Sequence, residues 1–133
     1  LKGKPYSIFV ADQRLWIPDR NLYTYPDMMV VSRPLQLQSG RTDTITNPLA
    51  ISEVLSKSTK SYDRDEKFSA YRTIPTFQEY LLIDQYTPHV EQYSKTDSQK
   101  WIFSEYDGLN SNFMLTSISV EIRLADLYES IDF

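Results

Sequence analysis

Alternating apolar and polar positions open the chain. Tyr6 to Val10 and Arg14 to Ile17 read as two short strands either side of Asp12-Gln13, spaced as a hairpin. Tyr25 to Val31 predicts a third strand, with Asp27, Met29 and Val31 on one face. Residues Ser32 to Pro48 are polar and broken by Pro34, Gly40 and Pro48, which predicts a loop long enough to carry function or mobility. Ala50 to Leu55 predicts a fourth strand that places Ile51, Glu53 and Leu55 on one face.

The pattern then changes period. Ser56 to Ser61 turns the chain, and Asp63 followed by Glu66 has the form of a capping box opening a helix that runs to about Thr73 and stops before Pro75. Lys67, Ala70, Tyr71 and Ile74 share one helical face. Leu81 to Asp84, Val90 to Ser94 and Trp101 to Tyr106 return to strand character, separated by Thr87-Pro88 and Thr96-Asp97-Ser98. Asp107-Gly108 makes a turn, Asn112 to Arg123 supplies late strands, and Leu124 to Ile131 predicts a short closing helix. Many strands and one clear helix, with no internal repeat, predict one mixed α/β (α+β) domain over 1–133.

Three charged groups stand where this pattern asks for apolar ones. Asp27, Glu53 and Lys67 fall on inward faces, and burying such groups costs several kcal/mol or more unless they are paired or hold a metal. Each has an ordinary explanation. Pro26-Asp27 suits a turn at a strand entry. Glu53 faces solvent if Ser52 and Val54 form the buried face. Lys67 can lie along the edge of its helical stripe or pair with Asp63. Together they make a different set: two carboxylates on neighbouring strands suit Mg²⁺, and a lysine within reach can position or deprotonate an attacking water and offset transition-state charge. Those parts fit phosphodiester hydrolysis.

Composition narrows the chemistry. The 133 residues contain no cysteine, which excludes disulfides, thiolate catalysis and cysteine-based zinc sites. The single histidine, His89, reads as a strand-edge side chain rather than a base. Ten tyrosines are able to stack on bases, but their spread along the strands predicts packing instead. The net charge of −4 opposes non-specific coating of nucleic acid and leaves a local metal-bearing cleft open. No apolar run approaches the roughly 20 residues that span a bilayer, and no signal peptide opens the chain, so the expected setting is the cytoplasm. Leu1 is not an initiator methionine, which reads as a chain cut from something longer.

Tyr25-Pro26-Asp27, Asn47-Pro48, the run from Glu53 to Thr59, the run from Tyr62 to Phe68, Tyr71, Ile74-Pro75 and Glu79-Tyr80 together resemble the bacterial Uma-type family. The resemblance extends through Trp101 to Leu124-Ala125-Asp126-Leu127-Tyr128. That family carries a restriction-endonuclease label and belongs to the PD-(D/E)xK nuclease superfamily. The resemblance implies a restriction-endonuclease-like mixed sheet flanked by helices, acting as a Mg²⁺-dependent DNA endonuclease with Mn²⁺ as a substitute. Asp27 and Glu53 would be metal ligands, with the main-chain carbonyl of Val54 as a third, and Lys67 would organise the water. Ser56, Asp63 and Tyr71 are candidates for supporting this site.

The chain departs from the family pattern in places. Leu55 stands where the simple superfamily motif has its lysine, as in members whose lysine has moved to the following helix, here Lys67. Lys57 replaces a usual proline and Asp65 a usual glycine. An N-terminal helical region with an acidic residue normally precedes the position of Leu1. Duplex DNA is the expected partner, without a membrane, and a homodimer follows by analogy because duplex cleavage needs two cuts. Two other readings stay open: a catalytically inactive nuclease-fold binding or assembly module, and a metal-dependent hydrolase of a small phosphorylated molecule.

Overall fold

A computed structural model describes residues 5–56, 63–97 and 99–129, with the side chains of Asp63 and Arg64 outside the description. Eleven strands account for about half of it: β1 Tyr6–Val10, β2 Arg14–Ile17, β3 Leu22–Thr24, β4 Met28–Ser32, β5 Thr44–Ile45, β6 Pro48–Leu55, β7 Glu79–Asp84, β8 His89–Asp97, β9 Lys100–Asp107, β10 Asn112–Leu115 and β11 Val120–Arg123. The main sheet has six strands in the order β1-β4-β6-β7-β8-β9, antiparallel except for the parallel pair β6 and β7. This strand-rich mixed sheet with few helices is the α+β architecture that the alternation predicts.

Register decides which residues share a face. Met29 pairs with Ile51, Ile51 with Tyr80, and Tyr80 with Tyr93, so these four lie in one row across the sheet. The next row contains Glu53, Leu82, Glu91 and Glu105. A helical segment covers this face. It winds wide as a π-helix over Asp63–Lys67 and continues as α1, Phe68–Tyr71. Phe68 stacks on Tyr80 at 5.2 Å and meets Trp101 edge-on at the same centroid distance. Burying an aromatic or large aliphatic side chain stabilises by roughly 1.5–3 kcal/mol each, so this cluster fixes the helix against the sheet.

A separate three-stranded sheet, β3-β2-β5, lies on the same side. Its Leu15, Ile17 and Ile45 join the core with Met29, Val31 and Tyr71. The opposite face of the main sheet is covered by the β10–β11 hairpin and by α2, Leu124–Leu127, through Phe113, Leu124 and Tyr128 against Leu81, Ile83 and Val90.

Three expectations change. β1 and β2 do not form a hairpin: β1 pairs with β4, and β2 pairs with β3 and β5 in the other sheet. The stretch from Ser32 to Pro48 is mostly loop but contains β5 and a bridge from Leu37 to Ile45. The third predicted strand, Tyr25 to Val31, begins only at Met28 as β4, and the unpredicted β3 precedes it, separated by Pro26, which supplies no N–H for a ladder. That break also moves Asp27 out of the strand.

Candidate active site around Glu53

Glu53 sits within β6, between Ile51 and Leu55 on the inward face, and is 2% exposed. Ser52 is buried as well and Val54 is exposed, so the strand is covered on both faces at Ser52 and opens at Val54. The carboxylate stays satisfied in two directions. The main-chain amide of Asp27 donates to Oε1 at 2.9 Å, and Lys67 Nζ donates to Oε2 at 2.7 Å.

Asp27 is exposed rather than inward, at the bend before β4. Its Oδ2 accepts from the Val54 amide at 2.7 Å, and its Oδ1 takes no hydrogen bond from the described residues. The pairing of Met28 with Ser52 ends the β4–β6 ladder, and these side-chain-to-backbone bonds continue it by one more step. Asp27 therefore offers an exposed carboxylate edge beside the buried Glu53.

Lys67 is the last residue of the π-wound turn, and its side chain is 22% exposed. Its helical neighbours Ala70, Tyr71 and Ile74 are all buried, as the shared stripe requires. The ammonium thus reaches Glu53 from the helix side while keeping contact with water. π-wound turns inside helices occur frequently at functional sites.

Burial raises the Glu53 pKa above its ordinary value, against the lowering effect of the Lys67 hydrogen bond and charge and of the Asp27 amide. A carboxylate so placed is costly to keep ionised. The carboxylate oxygens of Glu53 and Asp27 are of the hard type that Mg²⁺ and Mn²⁺ take as ligands.

The remaining candidates separate. Tyr71 is fully buried against Phe77 and Tyr80, at centroid distances of 5.8 and 5.6 Å, which makes it a core residue. Ser56 is half-buried just beyond β6. The side chain of Asp63 lies outside the described residues, so its capping or supporting part belongs to the sequence reading alone.

A second polar cluster occupies the same sheet face two strands away. His89 Nδ1 lies 2.6 Å from Asp107 Oδ1, and Nε2 lies 3.2 Å from Glu91 Oε2 and 3.8 Å from Glu105 Oε1. His89, Glu91 and Glu105 each bring a ligand-type atom within 4.8 Å of the others. Sequence reasoning placed His89 at a strand edge and missed this grouping. The only available signal was the spacing of His89-Glu91 against Glu105-Asp107, which means something only once β8 and β9 are in register.

The chain has relatives among known proteins. Two uncharacterized proteins of Synechocystis sp. are 41% identical over 117 residues and 32% identical over 133 residues. The matches cover 88% and 100% of this chain, and 66% and 68% of those proteins. The chain therefore spans about two thirds of the length of these relatives. A crystal structure titled as a "putative nuclease belonging to DUF820" from Anabaena variabilis shares the fold, with a TM-score of 0.74 at 16% identity. The match covers 96% of this chain and 70% of that one. Among the described residues, no helix is long and apolar enough to cross a membrane. The family described as "Putative restriction endonuclease" matches residues 2–125, and the chain belongs to this family, Uma2.

Proposed function

We propose that this protein is a divalent-metal-dependent nuclease that hydrolyses phosphodiester bonds in DNA, using Asp27, Glu53 and Lys67. The observation that carries the reading is Glu53 itself: a carboxylate 2% exposed, held between the Asp27 amide and the Lys67 ammonium, beside an exposed second carboxylate. A fold gains little stability from such a burial, since a buried ion pair repays its desolvation only with good geometry. Catalysis gives it a purpose.

Asp27 and Glu53, with the main-chain carbonyl of Val54, would hold a Mg²⁺ or Mn²⁺ ion. Such an ion would supply Lewis-acid polarisation of the phosphoryl oxygens. Glu53, fixed by two hydrogen bonds, keeps its oxygens in one orientation. Lys67, tethered to Glu53, presents its ammonium to the attacking water and to the charge that develops on phosphorus. Water oxygen bonds to phosphorus in line with the leaving oxygen and releases a proton to solvent, the opposite P–O bond breaks, and the leaving oxygen takes a proton from solvent.

The small-molecule alternative is less well served. An apolar cleft lined by Met28, Ala50, Leu81, Leu115 and Leu127 lies between the main sheet and the β10–β11 hairpin, on the face away from Glu53. Apart from the hydroxyl of Ser52, its lining is apolar and carries no charged group for a phosphate.

The test is cleavage of plasmid and linear DNA by purified protein with Mg²⁺ or Mn²⁺, and with EDTA. Cleavage is expected to require the metal and to be lost in Glu53→Ala and Lys67→Ala. Cleavage retained by either variant would remove the assignment and leave a nuclease-fold binding module.

A further inference from the structure

We propose that Tyr25, with Arg14 and Tyr23, forms a stacking subsite for an unpaired nucleobase next to the scissile phosphate. The substrate is then a nucleic-acid strand that is single-stranded at the cut. The inference rests on the nuclease reading of Asp27, Glu53 and Lys67.

The outward face of β2 and β3 carries Arg14, Trp16 and Tyr23, while Leu15 and Ile17 face the core. Trp16 and Tyr23 are a cross-strand pair with centroids 4.5 Å apart. The Arg14 guanidinium lies 5.2 Å from the Tyr23 ring centre and 5.9 Å from that of Tyr25. Arg14 Nε also donates to the Tyr25 hydroxyl at 2.9 Å. Trp16, Tyr23, Arg14 and Tyr25 thus make a ladder of flat groups ending at Tyr25.

Sheet stability explains the first part of this ladder and not its end. A cross-strand aromatic pair such as Trp16 and Tyr23 stabilises a sheet by roughly 0.2–1 kcal/mol. Tyr25 lies past the end of β3, makes no ring–ring contact among the described residues, and is 51% exposed. Folding alone would not hold a large aromatic ring outward by hydrogen-bonding it to an arginine.

Its position gives the ring a use. Tyr23, Tyr25 and Asp27 are all exposed, while Pro26 is buried and Thr24 half-buried. Two residues of chain span at most about 7 Å, so the Tyr25 and Asp27 backbones lie within about one nucleotide of each other. Aromatic faces bind single-stranded nucleic acid by stacking on bases, whereas a closed duplex keeps its base faces covered. Arg14, bonded to Tyr25, and Arg41, paired with Asp43, bring guanidinium groups to the rings that a nearby phosphate would meet.

The test uses the intact protein with Ca²⁺ in place of Mg²⁺ and oligonucleotides carrying 2-aminopurine: a single strand, a gapped duplex and a blunt duplex. Wild-type protein and Tyr25→Phe are expected to bind the single strand and the gapped duplex more tightly than the blunt duplex, and to quench the probe. Tyr25→Ala is expected to bind roughly 5- to 100-fold more weakly without quenching, the loss of one base–aromatic stack. A shared melting temperature of wild type and variants shows that folding is intact, and Tyr25→Leu replaces Tyr25→Ala if it does not. Equal binding and quenching by Tyr25→Ala and wild type, tighter binding of the blunt duplex, or no binding to any probe overturns the inference. Metal-dependent cleavage insensitive to Tyr25 overturns the subsite while leaving the nuclease reading intact. Tyr25-dependent binding without cleavage overturns the nuclease reading, and the inference that rests on it.

Discussion

Asp27 and Glu53 hold one another through each other's backbones: the Asp27 amide donates to the Glu53 carboxylate at 2.9 Å, and the amide after Glu53, that of Val54, donates to the Asp27 carboxylate at 2.7 Å. The clasp sets both acidic groups in place without a direct contact between their like charges. It also separates what each carboxylate does for folding from what it would do for chemistry.

Asp27→Asn keeps an oxygen able to accept from the Val54 amide and removes the charge. Cleavage is expected to fall by about 100-fold or more, the scale of losing one electrostatic contact in a reaction centre, with little change in melting temperature. Asp27→Ala also removes the clasp and is expected to cost a further ~0.5–1.5 kcal/mol in urea unfolding, the net worth of one exposed hydrogen bond. Equal stability of the two variants would show that the clasp contributes nothing.

Removing Lys67 leaves Glu53 buried without its ammonium. Lys67→Ala is expected to lower stability near neutral pH, by up to about 3 kcal/mol, the low end for breaking a buried pair. The pKa of Glu53 is already raised by burial and rises further without Lys67. A carboxyl whose folded pKa is raised contributes stability below its unfolded value of about 4.5 and loses it as pH rises through the folded pKa. The deficit is therefore expected to shrink at pH 4, measured by urea unfolding with EDTA present. Glu53→Gln, which cannot ionise, is expected to abolish cleavage and to match or exceed the wild-type melting temperature at pH 7.

His89 provides a second pH dependence, of the same sign but in a higher window. Burial disfavours the charged ring, yet the hydrogen bonds and charges of Asp107 and Glu91 outweigh it and hold the pKa above 6.5. Glu105 on β9 also faces the ring, while Asp84 on β7 is turned to the amides of Tyr86 and Thr87. Stability from the charged ring is complete below about pH 6.5 and is lost as pH rises through the folded pKa. Wild-type melting temperature is expected to fall over that interval more steeply than that of His89→Gln. Parallel curves would show that the cluster is indifferent to the proton.

Glu79 is the buried acid that chemistry does not need. Its two oxygens accept from Gln92 Nε2, from Ser94 Oγ, and from the amides and hydroxyls of Thr116 and Ser117, joining the main sheet to the turn between β10 and β11. Glu79→Ala strands these donors and is expected to cost about 3–5 kcal/mol, with hydrogen exchange accelerated first in β10 and β11. Unchanged exchange there would detach the hairpin's order from Glu79.

How far the sequence carried depended on the range of the interaction. Alternation around Ile51, Glu53 and Leu55, and the helical spacing of Lys67 with Ala70 and Tyr71, are local signals, and both groups sit as their patterns require. The inward reading of Asp27 failed because period-two counting was carried back from Met29 past the start of β4 at Met28, into the bend at Asp27. No local signal says that β1 and β2 enter different sheets, since each is an ordinary short amphipathic strand. The His89 cluster and the Glu79 network depend on cross-strand register and on a distant turn, and alternation within one strand carries neither.

The parallel pairing of β6 with β7 has a consequence for how such a site can evolve. Parallel neighbours oblige the chain to leave one end of the sheet, pass over a face and return, and that passage here contains the helix with Lys67. Anything on the inner side of the passage is delivered to the same face as the inward residues of β6. Lys67 therefore meets Glu53 from the helix, while Leu55 on the strand packs in the core. Topology conserves the meeting point and leaves free which element sends the charge.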